Sequence, residues 1–243
     1  MTQTSVPMVL LHGWGFLPGI WHAVTEQLER QGLCTTVSAP ALPLSGNISQ
    51  LTAIESLFDT LPDAAHLVGW SLGGELALAY TLCFPERVRS LTLISSTPCF
   101  MHRPDWALGQ PATLLDDFDQ RLIESPAALL KRFSSLIRHG DSTALRDRAL
   151  SEQLQQQAEP DTERLTSGLK FLRTIDLRAA CSSPTDLPPI SLIHGSADGV
   201  VPLAAAQWLS NELKARLTVI DHASHALPLT HAEQIAANLA NNV

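Results

Sequence analysis

Short apolar runs recur along the chain and alternate with longer segments of helical periodicity. We predict strands at Met8–Leu11, Cys34–Ser38, His66–Gly69, Ser90–Ser95, Ile190–His194 and Leu217–Ile220. Helical patterns fill the intervals, and the last of them lies near Ala232–Leu239. Strands that alternate with helices pair in parallel and are covered on both faces. The pattern therefore predicts an α/β fold with a mostly parallel, doubly wound sheet.

The pattern changes between Thr97 and about Leu187, where Val and Ile become rare and helix formers dominate. We predict three or four amphipathic helices here, inserted after a core strand. Residues 1–98 and 188–243 then form the core, and residues 99–187 form the insertion. An insertion at this point lies over the carboxyl edge of the sheet, where ligands bind. We interpret it as a helical lid; a purely structural helical subdomain is the alternative.

Two local signals predict helix starts. Asp161 precedes Glu163 and a run of leucines at helical spacing, which is typical of an N-cap. Thr230 and Glu233 have the spacing of a capping box at the start of the last helix.

Composition restricts the functional classes. The 243-residue chain has a formal net charge of −8, which argues against non-specific nucleic-acid binding. No apolar window approaches the roughly 20 residues of a membrane span, and the N-terminal segment lacks the basic residues of a secretory signal. Cys34, Cys83, Cys99 and Cys181 are scattered without metal-ligand spacing, and no nucleotide or metal motif occurs. We expect reduced thiols, no cofactor and no metal, in a cytoplasmic monomer that contacts no membrane.

A serine flanked by glycines is the main chemical signal. Gly69-Trp70-Ser71-Leu72-Gly73 follows the apolar run at 65–68 and precedes a helix-like run at 74–80. This pattern is typical of a nucleophile elbow, in which a sharp turn between strand and helix exposes the serine. The alternative is a tight turn that carries a serine by chance.

Two later strands are followed by residues that could complete a catalytic triad. Asp198 follows the strand at 190–194, and His225 follows the strand at 217–220. A serine needs an imidazole to take its proton, and the imidazole needs a carboxylate to fix its tautomer. The chain order Ser71, Asp198, His225 is the order in which hydrolases with this elbow carry their triad.

Other residues at the same edge compete for these roles. Asp221 also ends a strand, and His222 and His194 lie nearby. His222 could be a helper or a surface residue. His225 is preferred because it lies deeper in its loop and precedes a small apolar step and a proline.

The segment His12-Gly13-Trp14-Gly15 directly follows the first strand. Its glycines would allow backbone N–H groups to point into the site. In acyl transfer, one oxyanion donor is the N–H of the residue after the nucleophile, here Leu72, and the other comes from such an early loop, here Trp14. An ordinary glycine turn is the alternative.

The predicted lid contains a cluster of positive charge. Five basic residues stand against two acidic ones in this segment: Lys131, Arg132, Arg138, Arg146 and Arg148, with Asp141 and Asp147. A solvated helical face is the default interpretation. A local reversal of sign in an acidic chain is also what docking of an acidic macromolecule requires.

These residues support a resemblance that extends over nearly the whole chain. The matching segments are Leu10–Gly15, Gly69–Gly74, Pro85–Val88, Ser95–Phe100, Gly168–Arg178 and Asp198–Pro202. The chain resembles the α/β-hydrolase esterases, and among them the family of pimeloyl-[acyl-carrier-protein] methyl ester esterases of biotin synthesis. It departs from that family in its short N-terminus and in its polar lid pair at 134–135.

The resemblance implies an α/β-hydrolase fold with a lid, and a serine carboxylesterase that releases methanol from a pimeloyl methyl ester carried on acyl carrier protein. That carrier protein would be the partner. The implied substrate contacts are Trp14, Ser71, Leu72, His225 and the lid segment Phe133, Ser134, Ser135, Leu136 and Ile137. The alternatives are a general short-chain carboxylesterase, a C–C bond hydrolase of the same fold, and a ligand-binding protein without catalysis.

Overall fold

The computed structural model describes residues 6–33, 35–44, 46, 49–141, 160–183 and 186–241. The strands in these ranges are β1 (Met8–Leu11), β2 (Val37–Ser38), β3 (Ala65–Trp70), β4 (Val88–Ile94), β5 (Ile190–Gly195) and β6 (Arg216–Ile220). They form one sheet in the order β2-β1-β3-β4-β5-β6. Every neighbouring pair of these strands is parallel, which confirms the predicted sheet.

Helices connect and flank the strands. They are α1 (His22–Arg30), α2 (Gln50–Thr60), α3 (Leu72–Cys83), α4 (Ala112–Glu124), α5 (Pro126–Ile137), α6 (Thr162–Thr174), α7 (Arg178–Cys181), α8 (Leu203–Glu212), α9 (Leu227–Thr230) and α10 (Ala232–Ala240). Short 3₁₀ turns occur at Pro18–Trp21 and Pro85–Arg87. Within the described ranges, every helix is too short or too polar to cross a bilayer.

The central strands are apolar on both faces because helices cover both. All residues of β1 are buried, as are all residues of β4 except Arg89. The first predicted strand has the bounds that the structure gives to β1. The second is shorter than predicted, since only Val37 and Ser38 pair with β1, and Cys34 lies outside the described residues.

Helices α4, α5 and α6, here called the lid helices, lie between β4 and β5 in sequence, within the predicted insertion. Helix α4 packs against both α5 and α6. Arg173 of α6 joins α4 through Asp116 at 2.9 Å and Asp119 at 2.7 Å. Because these side chains are partly exposed, such ion pairs contribute little to stability, and buried apolar packing holds the lid helices together.

One helix start is confirmed and one is wrong. The Asp161 side chain accepts a hydrogen bond from the Arg164 N–H at 3.0 Å, as an N-cap does. The predicted capping box at Thr230 does not form, because α10 begins after His231 with no side-chain cap. The Thr230 hydroxyl instead lies 2.7 Å from His231 Nδ1 and 3.3 Å from the carbonyl of Ala226, the residue before α9.

Candidate active site

Ser71 occupies a strained turn between β3 and α3. Its φ of 55° and ψ of −124° lie outside the regions that ordinary residues favour. Its N–H donates to the Ile94 carbonyl at 2.9 Å, and its own carbonyl accepts from the Gly74 N–H at 2.8 Å and the Ser96 hydroxyl at 3.1 Å. The neighbouring strand and helix thus hold the serine in this conformation.

The glycines of this turn are required by close approach. A Cβ at Gly69 would come within 3.0 Å of the backbone of Gly73 and Gly74. A Cβ at Gly73 would come equally close to the carbonyl groups of Leu11 and His12 at the end of β1. Since backbone atoms cannot move aside cheaply, only glycine lets α3 start this close to β1 and β3.

Asp198 and His225 form a buried hydrogen-bonded pair. His225 Nδ1 lies 2.8 Å from Asp198 Oδ2, and both side chains are 0% exposed. The other carboxylate oxygen accepts from the N–H groups of Val200 at 2.8 Å and Val201 at 2.9 Å. Burial raises the pKa of Asp198, but the charge and hydrogen bond of His225 outweigh it, so the net shift is downward. An ionised Asp198 fixes the proton of His225 on Nδ1 and leaves Nε2 as a free base.

The His225 loop is attached to the serine turn. The Trp70 indole N–H donates to the His225 carbonyl at 2.9 Å, and the two rings are 5.7 Å apart. His225 Nε2 is buried and has no hydrogen-bond partner in the described part of the chain. Trp70, which immediately precedes Ser71, therefore links the position of the imidazole to that of the serine.

The competing residues have other places in the structure. Asp221 and His222 are exposed, and His222 has a positive φ of 57°. His194 is buried, with Nε2 3.5 Å from Asp198 Oδ2 and 2.9 Å from the Val201 carbonyl. Burial lowers the pKa of His194, so the ring is a neutral donor. His194 therefore holds the loop that carries Asp198 through the Val201 carbonyl.

Trp14 and Leu72 both lie next to the serine, since Trp14 lines the same cavity as Ser71 and Leu72 follows it in the chain. Leu72 is the first residue of α3, so its N–H has no acceptor within the helix. The loop that carries Trp14 is held by His12, whose Nδ1 lies 2.9 Å from the Gly13 carbonyl and whose Nε2 accepts from the Leu42 N–H at 3.3 Å. Burial lowers the pKa of His12 to about 4, which keeps the ring neutral.

An apolar cavity of about 20 Å³ adjoins Ser71. Its walls are Trp14 and side chains of all three lid helices, including Leu115, Phe118, Phe133, Leu136, Leu169 and Leu172. Of the predicted lid contacts, Phe133 and Leu136 line this cavity, whereas Ser135 is exposed and Ser134 and Ile137 are buried outside its lining. This volume holds about one water-sized group.

The structure describes three of the five residues of the predicted basic cluster. Lys131 and Arg132 are exposed on α5, and Arg132 pairs with Asp117 at 3.5 Å. Arg138 is half-buried, and its Nε donates to the Ser134 carbonyl at 3.1 Å. Arg146 and Arg148 lie outside the described residues. In the described residues, no three His, Cys, Asp or Glu side chains converge as a metal site requires.

Gln110, which no sequence pattern singled out, supports the loop that carries Asp198. Its side-chain amide donates to the Val200 carbonyl at 2.7 Å. Val200 in turn donates its N–H to Asp198. Gln110 lies in the segment between β4 and the lid helices, and no motif marks it, because the contact spans 90 residues.

The chain is similar to known proteins over most of its length. Residues 8–238 match the alpha/beta hydrolase family. Pimeloyl-[acyl-carrier protein] methyl ester esterases from Nitrosomonas europaea and Aromatoleum aromaticum are 35% and 38% identical to it. These matches cover 97% and 94% of this chain and 95% and 94% of the relatives. The crystal structure of a bromoperoxidase from Bacillus anthracis superposes with a TM-score of 0.85 at 19% identity, covering 98% of this chain and 92% of that chain.

Proposed function

We propose the function of this chain from its family: it belongs to the alpha/beta hydrolases and, among them, to the pimeloyl-[acyl-carrier protein] methyl ester esterases. The proposed reaction is hydrolysis of the methyl ester of a pimeloyl chain on acyl carrier protein, in biotin synthesis. The predicted fold class and resemblance are confirmed. The observation that carries the chemistry is the buried Asp198–His225 pair beside the strained Ser71 turn.

Acylation uses the free nitrogen of His225. Nε2 takes the proton of the Ser71 hydroxyl as the oxygen attacks the ester carbonyl, and Asp198 stabilises the imidazolium that forms. The N–H groups of Trp14 and Leu72 hold the oxyanion. In other enzymes, removal of one such donor raises the activation free energy by on the order of 3 kcal/mol. The tetrahedral intermediate collapses when Nε2–H protonates the methoxide oxygen, so that methanol leaves and the acyl-enzyme remains.

Deacylation repeats the same steps with water. His225 removes a proton from water, which attacks the acyl-enzyme carbonyl, and the oxyanion occupies the same two donors. Ser71 leaves with the proton from Nε2–H, and the free carboxylate is released. The serine, the imidazole and the two N–H groups thus serve both halves of the reaction.

The acyl chain would pass between the lid helices. The cavity of about 20 Å³ at Ser71 is too small for a chain of several methylene groups. Phe133 and Leu136 line it and belong to α5, so displacement of these side chains would make room along an apolar path. This path supports a substrate whose reacting end is uncharged and whose other end is attached outside the lid.

Lys131 and Arg132 of α5 are proposed to meet the acidic carrier protein. Both are exposed on the helix that also lines the cavity. Since the chain carries a net charge of −8, an acidic partner is repelled overall unless a local basic surface attracts it. Arg138, Arg146 and Arg148 belong to the same proposed cluster.

Charge reversal tests this docking surface. The double variant Lys131→Glu and Arg132→Glu should raise KM for the carrier-bound ester and weaken its dependence on salt, while turnover of a p-nitrophenyl ester stays unchanged. Arg216→Glu is the matched control, since Arg216 is exposed at the amino end of β6, away from the site. If both substrates lose activity equally, these residues support the lid and do not dock a carrier.

Ser71→Ala tests the activity itself. The variant should lose ester hydrolysis by several orders of magnitude, remain folded by circular dichroism, and fail to restore growth of a biotin auxotroph that lacks its esterase. A fluorophosphonate should label the wild type and not the variant. Labelling without turnover of the carrier-bound methyl ester would favour a general short-chain carboxylesterase or a C–C bond hydrolase. Absence of labelling would favour a non-catalytic binding protein. A cytoplasmic monomer remains part of the proposal.

A further inference from the structure

Trp14 is the point at which the lid helices meet the proposed oxyanion loop. Its ring lies 5.5 Å from that of Phe118 on α4 and 4.9 Å from that of Phe133 on α5, edge to face. Its indole N–H donates to the Leu165 carbonyl of α6 at 2.9 Å. Since Gly13 and Gly15 flank Trp14, the indole is the side chain that this turn itself contributes to its contacts with the lid helices.

Gly168 of α6 leaves the space that this indole occupies. A Cβ at Gly168 would lie 2.6 Å from Trp14 Cδ1 and 3.2 Å from its Nε1. The same Cβ would lie 3.4 Å from Leu72 Cδ2. Gly168 thus faces the side chains of both residues whose N–H groups serve as oxyanion donors. The next residue on α6, Leu169, lines the cavity at Ser71.

Glycine in the middle of a helix needs a reason. It costs about 1 kcal/mol in helix stability relative to alanine. Gly168 lies within α6, so the helix itself would be more stable with alanine. The close approach of Trp14 supplies the reason, because any side chain at this position would push the indole out of its place.

We infer that Gly168 and the Leu165 carbonyl are positioning groups for the oxyanion hole, which set the backbone N–H of Trp14 from the lid side. This inference rests on the proposed ester hydrolysis, and neither group touches the substrate's reacting atoms. The oxyanion hole stabilises the transition state, in which the carbonyl oxygen becomes negatively charged, more than it stabilises the bound ester. Displacement of Trp14 should therefore lower kcat and leave KM nearly unchanged.

Gly168→Ala and Trp14→Phe test the inference on p-nitrophenyl and carrier-bound methyl esters. Gly168→Ala should lower kcat for both esters roughly 10- to 100-fold, less than the 10²–10³-fold of losing a donor outright, with KM changed less than about threefold. Because alanine is a better helix former than glycine, a fall in the melting temperature of Gly168→Ala would report the clash with the indole and not a weaker helix. Trp14→Phe keeps an aromatic ring but lacks the N–H that binds Leu165, so it should lower kcat in the same way, and it carries the test if Gly168→Ala does not fold.

A double-variant cycle shows whether Gly168 acts through the indole. In a Trp14→Ala background, Gly168→Ala should change kcat by less than about twofold, because the group it displaces is gone. Thr166→Ala is the control on the same helix, since the Thr166 hydroxyl donates back to the Thr162 carbonyl within α6. It should leave both constants unchanged.

Three results would overturn the inference: wild-type kcat in both Gly168→Ala and Trp14→Phe, a loss in KM alone, or an equal loss of kcat in the Trp14→Ala background. Failure of the proposed function is seen separately in the wild type. If the wild type hydrolyses p-nitrophenyl esters but not the carrier-bound methyl ester, the substrate assignment fails, and the p-nitrophenyl comparison still decides the role of Gly168.

Discussion

Acidification should destabilise the protein through His12. The folded-state pKa of His12 is about 4, and burial is the main cause, against an ordinary value of 6.5. Between these two pH values the unfolded chain binds a proton at His12 and the native protein does not. Stability therefore falls as pH decreases. A difference of roughly 2.5 pH units corresponds to about 3 kcal/mol, present in full above pH 6.5 and lost by about pH 4.

The hydrogen bonds of His12 explain why the native state resists the proton. Nδ1 lies against the Gly13 carbonyl, and Nε2 accepts from the Leu42 N–H, so the neutral ring satisfies both neighbours. Protonation of Nε2 would place a donor against the Leu42 donor. The cost arises from this clash of donors together with the loss of hydration of a buried cation.

The assay compares the wild type with His12→Asn by urea unfolding at intervals between pH 7.5 and pH 4. The variant lacks the titrating ring and keeps a short polar side chain, so it should be less stable than the wild type at pH 7.5. The free-energy difference between the two should shrink by about 3 kcal/mol as pH falls to 4, because all other titrating groups are common to both. A difference that stays constant over this range would refute the reasoning.

Further changes should have distinct effects. His225→Ala should abolish ester hydrolysis and His222→Ala should be mild; the reverse order in kcat assays would reassign the base. Gln110→Ala removes a hydrogen-bond donor to the loop that carries Asp198 and should lower kcat several-fold. Gln110→Glu should lower kcat as well, because a carboxylate cannot donate this hydrogen bond. Gly73→Ala should cost about 3 kcal/mol or prevent folding, whereas Gly199→Ala, with no atom within 4 Å of its added Cβ, should melt normally.

The sequence predicts local features of this protein well. The apolar run at Met8–Leu11 gives the bounds of β1 directly, whereas β2 pairs only at Val37 and Ser38 and is shorter than its run predicts. The glycines around Ser71 are also local, since the turn forces them. Asp161 signals its helix because the cap bond spans only three residues.

Contacts between distant segments have no such signal. Thr230 resembles a capping residue, but its hydroxyl contacts its neighbours in the chain instead, which the spacing alone does not show. The meeting of Trp14 with Leu165 spans 151 residues, and that of Gln110 with Val200 spans 90. Nothing next to this tryptophan or this glutamine in the sequence marks it as a donor, because its acceptor is brought close only by tertiary packing.

The pairing of β4 with β5 has a consequence for how readily the lid can change. Leu91 pairs with Ile190 across the whole insertion, whereas Leu67 pairs with Leu91 across a short connection. Chain-closure entropy grows only with the logarithm of loop length, so the longer connection costs about 1.2 kcal/mol more than the shorter one. The sheet can therefore accept insertions of very different length between β4 and β5 at almost constant cost to its own stability, while the loops that carry Ser71, Asp198 and His225 stay in place.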